Sequence, residues 1–209
     1  MPGSPYTVSD VMSHTVVAIG SEASFKQIVE LLGEWKVSAV PVLAGEGRVV
    51  GVVSEADLLA KEFLGGADGP GEDGSAHRAK AGAVTAGELM SSPAVTVHAD
   101  APLAEAARIM ARRHVKRLPV VDGVGLLQGI VSRGDLLKVF LRPDEEIAGE
   151  IRNSVLGRLP SAGSLTVEVT DGVVTLGGSL PDRALVPVAA RALRAVEGVV
   201  DVRLDLTHR

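Results

Sequence analysis

Apolar and polar residues alternate along this chain with two periods that trade places along its length. Phe25, Ile28, Val29 and Leu32 recur at helical spacing, as do Leu103, Ala106, Ala107 and Met110, so each stretch predicts an amphipathic helix with one buried face. Val40 to Leu43 and Val49 to Val53 are β-branched runs that bracket Gly45-Glu46-Gly47. Leu118 to Val121 and Leu126 to Val131 repeat that arrangement further on, and all four predict strands. Short strands are also expected at Val16 to Ile19 and Ala94 to Val97. Beyond Asp144 the pattern predicts a helix over 145–156, strands over 165–169 and 173–177 joined by Asp171-Gly172, a helix over 184–195 and a strand over 199–206. Asp-Gly between alternating apolar runs is a hairpin signal, and Pro187 falls in the first turn of its helix, where a missing amide donor costs little.

These elements recur as a duplication. A shift of 78 residues takes Val11-Met12-Ser13 onto Leu89-Met90-Ser91 and then, without a gap, carries Pro41-Val42 onto Pro119-Val120 and Gly51 onto Gly129. It also carries Val53-Ser54 onto Val131-Ser132, and Asp57-Leu58-Leu59 onto Asp135-Leu136-Leu137. The period is too long for a solenoid repeat and fits a duplicated small domain. Between the copies, Gly65 to Gly82 is rich in Gly, Ala, Asp and Ser without apolar periodicity and is expected to be a flexible linker. We therefore divide the chain into a first repeat (1–64), a linker (65–83), a second repeat (84–141) and a separate C-terminal unit (144–209).

Composition narrows the chemistry. Apolar residues make up 46% of the 209 and aromatics 2%, so the core must be aliphatic. The formal net charge of −5 offers no general attraction to nucleic acid or anionic lipid. The absence of cysteine excludes disulfides and thiolate chemistry. Neither a signal-peptide pattern nor an apolar run of membrane-spanning length is present, and the expectation is a cytoplasmic protein. His14, His77, His98, His114 and His208 are scattered without metal-ligand spacing. No serine sits in a nucleophile-elbow context and no Gly-rich stretch ends in Lys-Ser/Thr, so the reading is of a non-enzyme with no catalytic residues, metal or catalytic cofactor.

The duplicated unit has Met-Ser at its head, Pro-Val in its middle, and Gly-Val-Val-Ser-Glu-Ala-Asp or Gly-Ile-Val-Ser-Arg-Gly-Asp at its end. Over about residues 8–141 it resembles a tandem pair of cystathionine-β-synthase-type (CBS) domains. The tail resembles a BON domain through Val169-Thr-Asp-Gly-Val-Val-Thr-Leu-Gly-Gly178 and Val196-Glu-Gly-Val-Val-Asp-Val202. The implied fold is α/β (α+β): two β-α-β-β-α repeats as a pseudo-twofold pair, plus a small αββαβ unit.

The resemblance implies clefts that bind AMP, ADP, ATP or S-adenosylmethionine, with Ser54 and Asp57 in one copy and Ser132 and Asp135 in the other. A hydroxyl and amides at a helix start suit a phosphate, and a carboxylate one turn on can accept from ribose hydroxyls. Arg133 adds a cation beside Ser132 where the first copy has Glu55, so the cleft of Ser132, Arg133 and Asp135 ranks first on sequence. Adenine is expected near Val17 and Val95, with Pro41 and Pro119 close by, and Arg117 at a cleft edge to meet a phosphate. The same serines would cap their helices in a purely structural role, and the aspartates suit a first helical turn.

Arg112-Arg113-His114 with Lys116-Arg117 could read nucleic acid or recruit an anionic partner, but such a run is more often a solvated helix end, and no aromatics accompany it for base stacking. The family implies a homodimer formed through the CBS pair and a BON-like part that attaches to phospholipid or a protein. The tail lacks lysine, which weakens an electrostatic lipid role. The leading expectation is a regulatory signalling protein that senses adenine nucleotide and relays occupancy to the tail. The alternative is a ligand-free dimeric scaffold.

Overall fold

The computed structural model describes residues 6–64, 83–158, 164–180 and 182–207, and for residues 61–64 the backbone alone. The linker sequence at 65–82, with His77 in it, and His208 therefore lie outside the described residues. The chain divides into two compact units, Val8–Ser132 and a second formed by Met1–Thr7 with Arg133–Arg209.

In the first unit the order is α1 (Val8–Val11), β1 (Ile19–Gly20), α2 (Phe25–Trp35), β2 (Ala39–Ala44), β3 (Arg48–Ser54), α3 (Glu55–Leu64), α4 (Ala86–Leu89), β4 (Val97–His98), α5 (Leu103–Arg113), β5 (Arg117–Val121) and β6 (Leu127–Ser132). Two three-stranded sheets result, β1-β2-β3 and β4-β5-β6. In each, the first pair is parallel and the second antiparallel. The 78-residue shift holds in fine detail. Both antiparallel pairs slip register at equivalent places, Val42/Leu43 and Val120/Val121. Both long helices end on a left-handed residue, Lys36 and His114, whose amide turns back to Leu32 or Met110. The opening strands are shorter than the apolar runs predict: Val16 to Ala18 and Ala94 to Thr96 lie outside the ladders, and strand pairing begins only at Ile19 and Val97.

The copies exchange their leading segments. Ser13 pairs with Ile130 of the second copy, and the Val8 amide donates to Ala101. In the mirrored arrangement Ser91 pairs with Val52, and the Ala86 amide donates to Ala23. Ala83, Ala86 and Leu89, which precede the second repeat, are buried in the first repeat's core with Ile28, Leu32, Val40, Val42 and Val53. Ala83, at the end of the linker stretch in the sequence division, is thus a core residue 3% exposed. Met90 covers Gly51 and Met12 covers Gly129 so closely that neither glycine has room for a β-carbon.

In the second unit α6 (Arg133–Leu137) and a 3-10 turn (Lys138–Leu141) lead into α7 (Asp144–Glu150), β7 (Leu165–Thr170), β8 (Val173–Ser179), α8 (Leu185–Arg194) and β9 (Asp201–Thr207). The sheet order is β7-β8-β9, with β7 antiparallel and β9 parallel to β8. Its core joins Ile147, Ile151, Val174, Leu176, Ala189 and Leu193. The helix expected over 145–156 is α-helical only to Glu150, continuing as a π turn over Ile151–Val155 and a 3-10 turn over Leu156–Arg158. The Ser154 hydroxyl donates to the Glu150 carbonyl at 2.6 Å and competes for the acceptor that an α-helical amide would use. Asp171 (φ 51°) and Gly172 (φ 73°) form the two-residue hairpin, and both amides donate to the Asp144 carboxylate at 2.8 and 2.9 Å.

Candidate functional site

A cavity of about 270 Å³ opens in the first unit where the two copies meet. Its volume is close to the low end of the range for small-molecule sites, roughly 300 Å³ upward. The first copy contributes Ser38, Ala39, Val52, Ser54, Glu55 and Asp57. The second contributes Ser91, Pro93, Ala94, Val95, His114, Lys116 and Arg117. The exchange of leading segments causes this mixture, because it brings Ser91 to β3 and so carries Pro93 to Val95 past the Ser54 turn.

The polar end is built at the β3–α3 junction. Ser54 ends β3, and Asp57 lies one turn into α3. The Asp57 Oδ2 accepts from the Ser54 amide at 2.9 Å and from the Ser54 hydroxyl at 2.6 Å. The expected cap therefore runs the other way: the serine hydroxyl donates to the aspartate rather than accepting from the helix amides. Ser91 of the second copy donates to Asp57 Oδ1 at 3.3 Å. These bonds hold the carboxylate at the cavity wall.

Positive charge comes from the opposite copy. Arg117, the first residue of β5, donates through Nη2 to the Ser38 hydroxyl at 3.0 Å, while its buried Nε has no partner among the described residues. Lys116 and His114 precede it on the same wall. Pro93, Ala94, Val95, Val52 and Ala39 supply an apolar surface without an aromatic ring. The cavity thus joins a cationic wall, a fixed carboxylate and an aliphatic slot.

Of the residues put forward from sequence, this cavity gathers Ser54, Asp57, Val95 and Arg117. Pro41 and Pro119 are buried inside β2 and β5, and Val17, half-buried before β1, is not in its wall. The other set is divided between the two units, Ser132 in the first and Arg133 and Asp135 in the second. Ser132 ends β6, and Arg133 and Asp135 lie in the first turn of α6, where Asp135 pairs with Lys138 at 2.7 Å.

Sequence reasoning missed Lys116 and His114, read as part of a solvated helix end, and Ser38. A signal was available, because the 78-residue shift sets Arg117 on Ala39 and Lys116 on Ser38, charges that break the repeat. Among the described residues no group of three or more His, Asp and Glu is placed to hold a metal ion. No helix among them is long and apolar enough to cross a membrane.

Comparison with known proteins agrees with this construction. The CBS domain model matches residues 8–62 and 86–142, more than half of the chain. This chain belongs to the CBS-domain family. The BON domain model matches residues 143–208, so the CBS pair is followed by a C-terminal BON domain.

Among curated relatives, the CBS domain-containing protein CBSX2, chloroplastic, of Arabidopsis thaliana is 31% identical over 157 residues, 68% of this chain and 66% of that protein. The uncharacterized protein MJ1404 of Methanocaldococcus jannaschii is 32% identical over 136 residues, 63% of this chain. The chain spans 66% of the first relative's length and 31% of the second's. A crystal structure of CBSX2 in complex with AMP superposes with a TM-score of 0.58 at 33% identity, covering 65% of this chain and 97% of that one. The CBS pair of protein MJ0100, solved with 5'-methylthioadenosine and S-adenosyl-L-methionine, shares the fold at TM-score 0.52 and 22% identity, covering 65% of this chain and 95% of that one. No enzyme family emerges from these matches.

Proposed function

We propose that this chain is a non-catalytic, cytoplasmic regulator that senses adenine nucleotide in its CBS pair and relays occupancy to its BON domain. The observation that carries the reading is Arg117. It crosses from the second copy into the cavity of Ser54 and Asp57 and keeps a buried, unpartnered Nε there. A buried guanidinium donor without an acceptor is costly, and an anionic oxygen would satisfy it.

In this reading the phosphate lies against Arg117, Lys116 and His114, Asp57 accepts from the ribose hydroxyls, and adenine packs against Val95, Ala94 and Val52. The AMP held by CBSX2 supports an adenine nucleotide over other anions. The cationic wall favours AMP, ADP or ATP over S-adenosylmethionine, whose sulfonium would add a like charge. The first cavity therefore takes precedence over the set of Ser132, Arg133 and Asp135, reversing the ranking read from sequence. That set, with Val17, Pro41 and Pro119, is the weaker companion, since the repeat supplies Ala39 and Ser38 where the first cavity has Arg117 and Lys116.

Occupancy reaches the BON domain only if the nucleotide binds one arrangement of the chain more tightly than another. The protein works as a dimer through its CBS pair, with the BON domain taking a protein or phospholipid partner. Isothermal titration of the full chain with AMP, ADP, ATP and S-adenosylmethionine tests the site. Micromolar AMP binding that Asp57→Ala abolishes and Asp135→Ala leaves largely intact is the expected result. If no ligand binds, the sensor reading fails and a ligand-free scaffold replaces it. Hydrogen exchange of the BON domain, unchanged at saturating AMP, would overturn the relay alone.

A further inference from the structure

Strand β9 is an outer strand of the BON sheet, paired with β8 on one side, and among the described residues no strand lies on its other side. Such an edge offers a row of backbone donors and acceptors to another chain, and folded proteins usually blunt it with charges that repel a copy of themselves. Here the charges do the opposite. Along Asp201-Val202-Arg203-Leu204-Asp205-Leu206-Thr207 the residues alternate between two faces. Val202, 7% exposed, and Leu206 lie on the packed face, together with Leu204, which remains 40% exposed. Asp201, Arg203 and Asp205 lie exposed on the other.

Leu204 is the midpoint of the strand. If two β9 strands run antiparallel about a twofold axis at Leu204, the whole strand pairs and every opposed pair shares a face. Arg203 then opposes Asp205 of the copy, and Asp205 opposes Arg203. The exposed Leu204 side chains meet, and Val202 faces Leu206. Opposite charges directly across a strand pair stabilise it, where like charges would destabilise it. The axis makes the contact isologous, so each β9 edge is fully satisfied by one partner edge. The opposite outer strand, β7, carries one charge, Glu168, and no cation, so it has no such self-complement.

We propose that β9 is a homotypic docking edge, by which the BON domains of two copies of this chain join into a continuous six-stranded sheet. The chain has no cysteine, so Leu204→Cys puts a single thiol pair on the axis. Directly opposed antiparallel residues lie about 4.5–5.5 Å apart at Cα, within disulfide reach.

The test is oxidative cross-linking of the purified full chain, with Glu168→Cys on β7 as the control. Leu204→Cys should form covalent dimer about tenfold faster than the control. Adding Arg203→Asp should remove that advantage, and adding Arg203→Asp with Asp205→Arg should restore it. The same charge variants without the cysteine should weaken and restore, in sedimentation, the self-association that β9 adds to the CBS-pair dimer, a readout independent of any disturbance by the thiol. Cross-linking no faster than the control, or indifferent to the charge reversal and its swap, would overturn the proposal. Either result would mean that a second copy does not take this edge.

Discussion

Helices α2 and α5 begin after Ser24 and Pro102, which correspond under the 78-residue shift, yet only one of them is capped. Ser24 accepts from the Gln27 amide and donates its own amide to the Gln27 side chain at 2.8 Å, whereas Pro102 offers no side-chain bond. Similar contrasts run through the two copies. Buried Ile28 corresponds to buried Ala106, Ala44 to the loop-capping Asp122, and Ala39 to Arg117. Topology, bulges and left-handed caps are nevertheless the same in both. Backbone pairing tolerates wide side-chain variation as long as burial and alternation are kept. The duplicated fold is symmetric in its backbone while its side chains, Arg117 against Ala39 among them, are not.

The largest expected effect tests whether the two cores are equivalent. Ile28→Ala gives the first copy the side chain that the second copy has at the matching place. It should nonetheless cost about 2–5 kcal/mol, because the first core is filled around isoleucine. A denaturant midpoint close to that of the parent would show that the cores are interchangeable.

Next comes the charge asymmetry of the cavity. Arg117→Ala should weaken AMP binding about ten- to a hundredfold in titration, as loss of a charge-assisted hydrogen bond implies. The corresponding cation-poor segment predicts almost no change for Lys36→Ala. Equal losses for both would place the nucleotide in both clefts alike.

The caps separate the copies by less. Ser24→Ala should lower stability by about 1 kcal/mol, and Pro102→Ala should lower it by less, compared by thermal unfolding.

The smallest effect concerns Asp122, whose carboxyl lies below its ordinary value, chiefly because it accepts from the Leu126 amide, with help from Val124, Gly125 and Arg48. A depressed folded-state value stabilises above the ordinary carboxylate range of about 3.9, and that contribution is lost as pH falls through the folded-state value. Amide protection in the 122–126 loop, measured against the intrinsic exchange rate at each pH, should therefore fall below about pH 4, while protection of the 45–47 loop stays unchanged. Asp122→Asn should flatten the dependence.

Much of the fold was legible in the residues. Helical spacing from Phe25 and from Leu103 located α2 and α5, and Asp171-Gly172 marked the BON hairpin. Ser54 and Asp57 could be named from their motif because both lie on one strand-to-helix junction, a local feature. What failed locally was subtle: at the π turn over Ile151–Val155 a serine hydroxyl shares a helix carbonyl, which no periodicity reports. The Ser132 set ranked first on sequence because Arg133 is its neighbour in the chain, whereas Arg117 reaches Ser38 across 79 positions.

The sequence by itself determined the duplication and the element types, because periodicity, turn chemistry and capping act over a few neighbouring residues. Only the tertiary structure decided which residues share a cavity. Ser13 and Ser91 each complete the sheet of the opposite copy, so the wall facing Asp57 comes from the second repeat. Strand exchange of that kind is settled by which hydrophobic faces and edges find each other in space, and Ala83, Ala86 and Leu89 find the first repeat's core, not that of the repeat they precede.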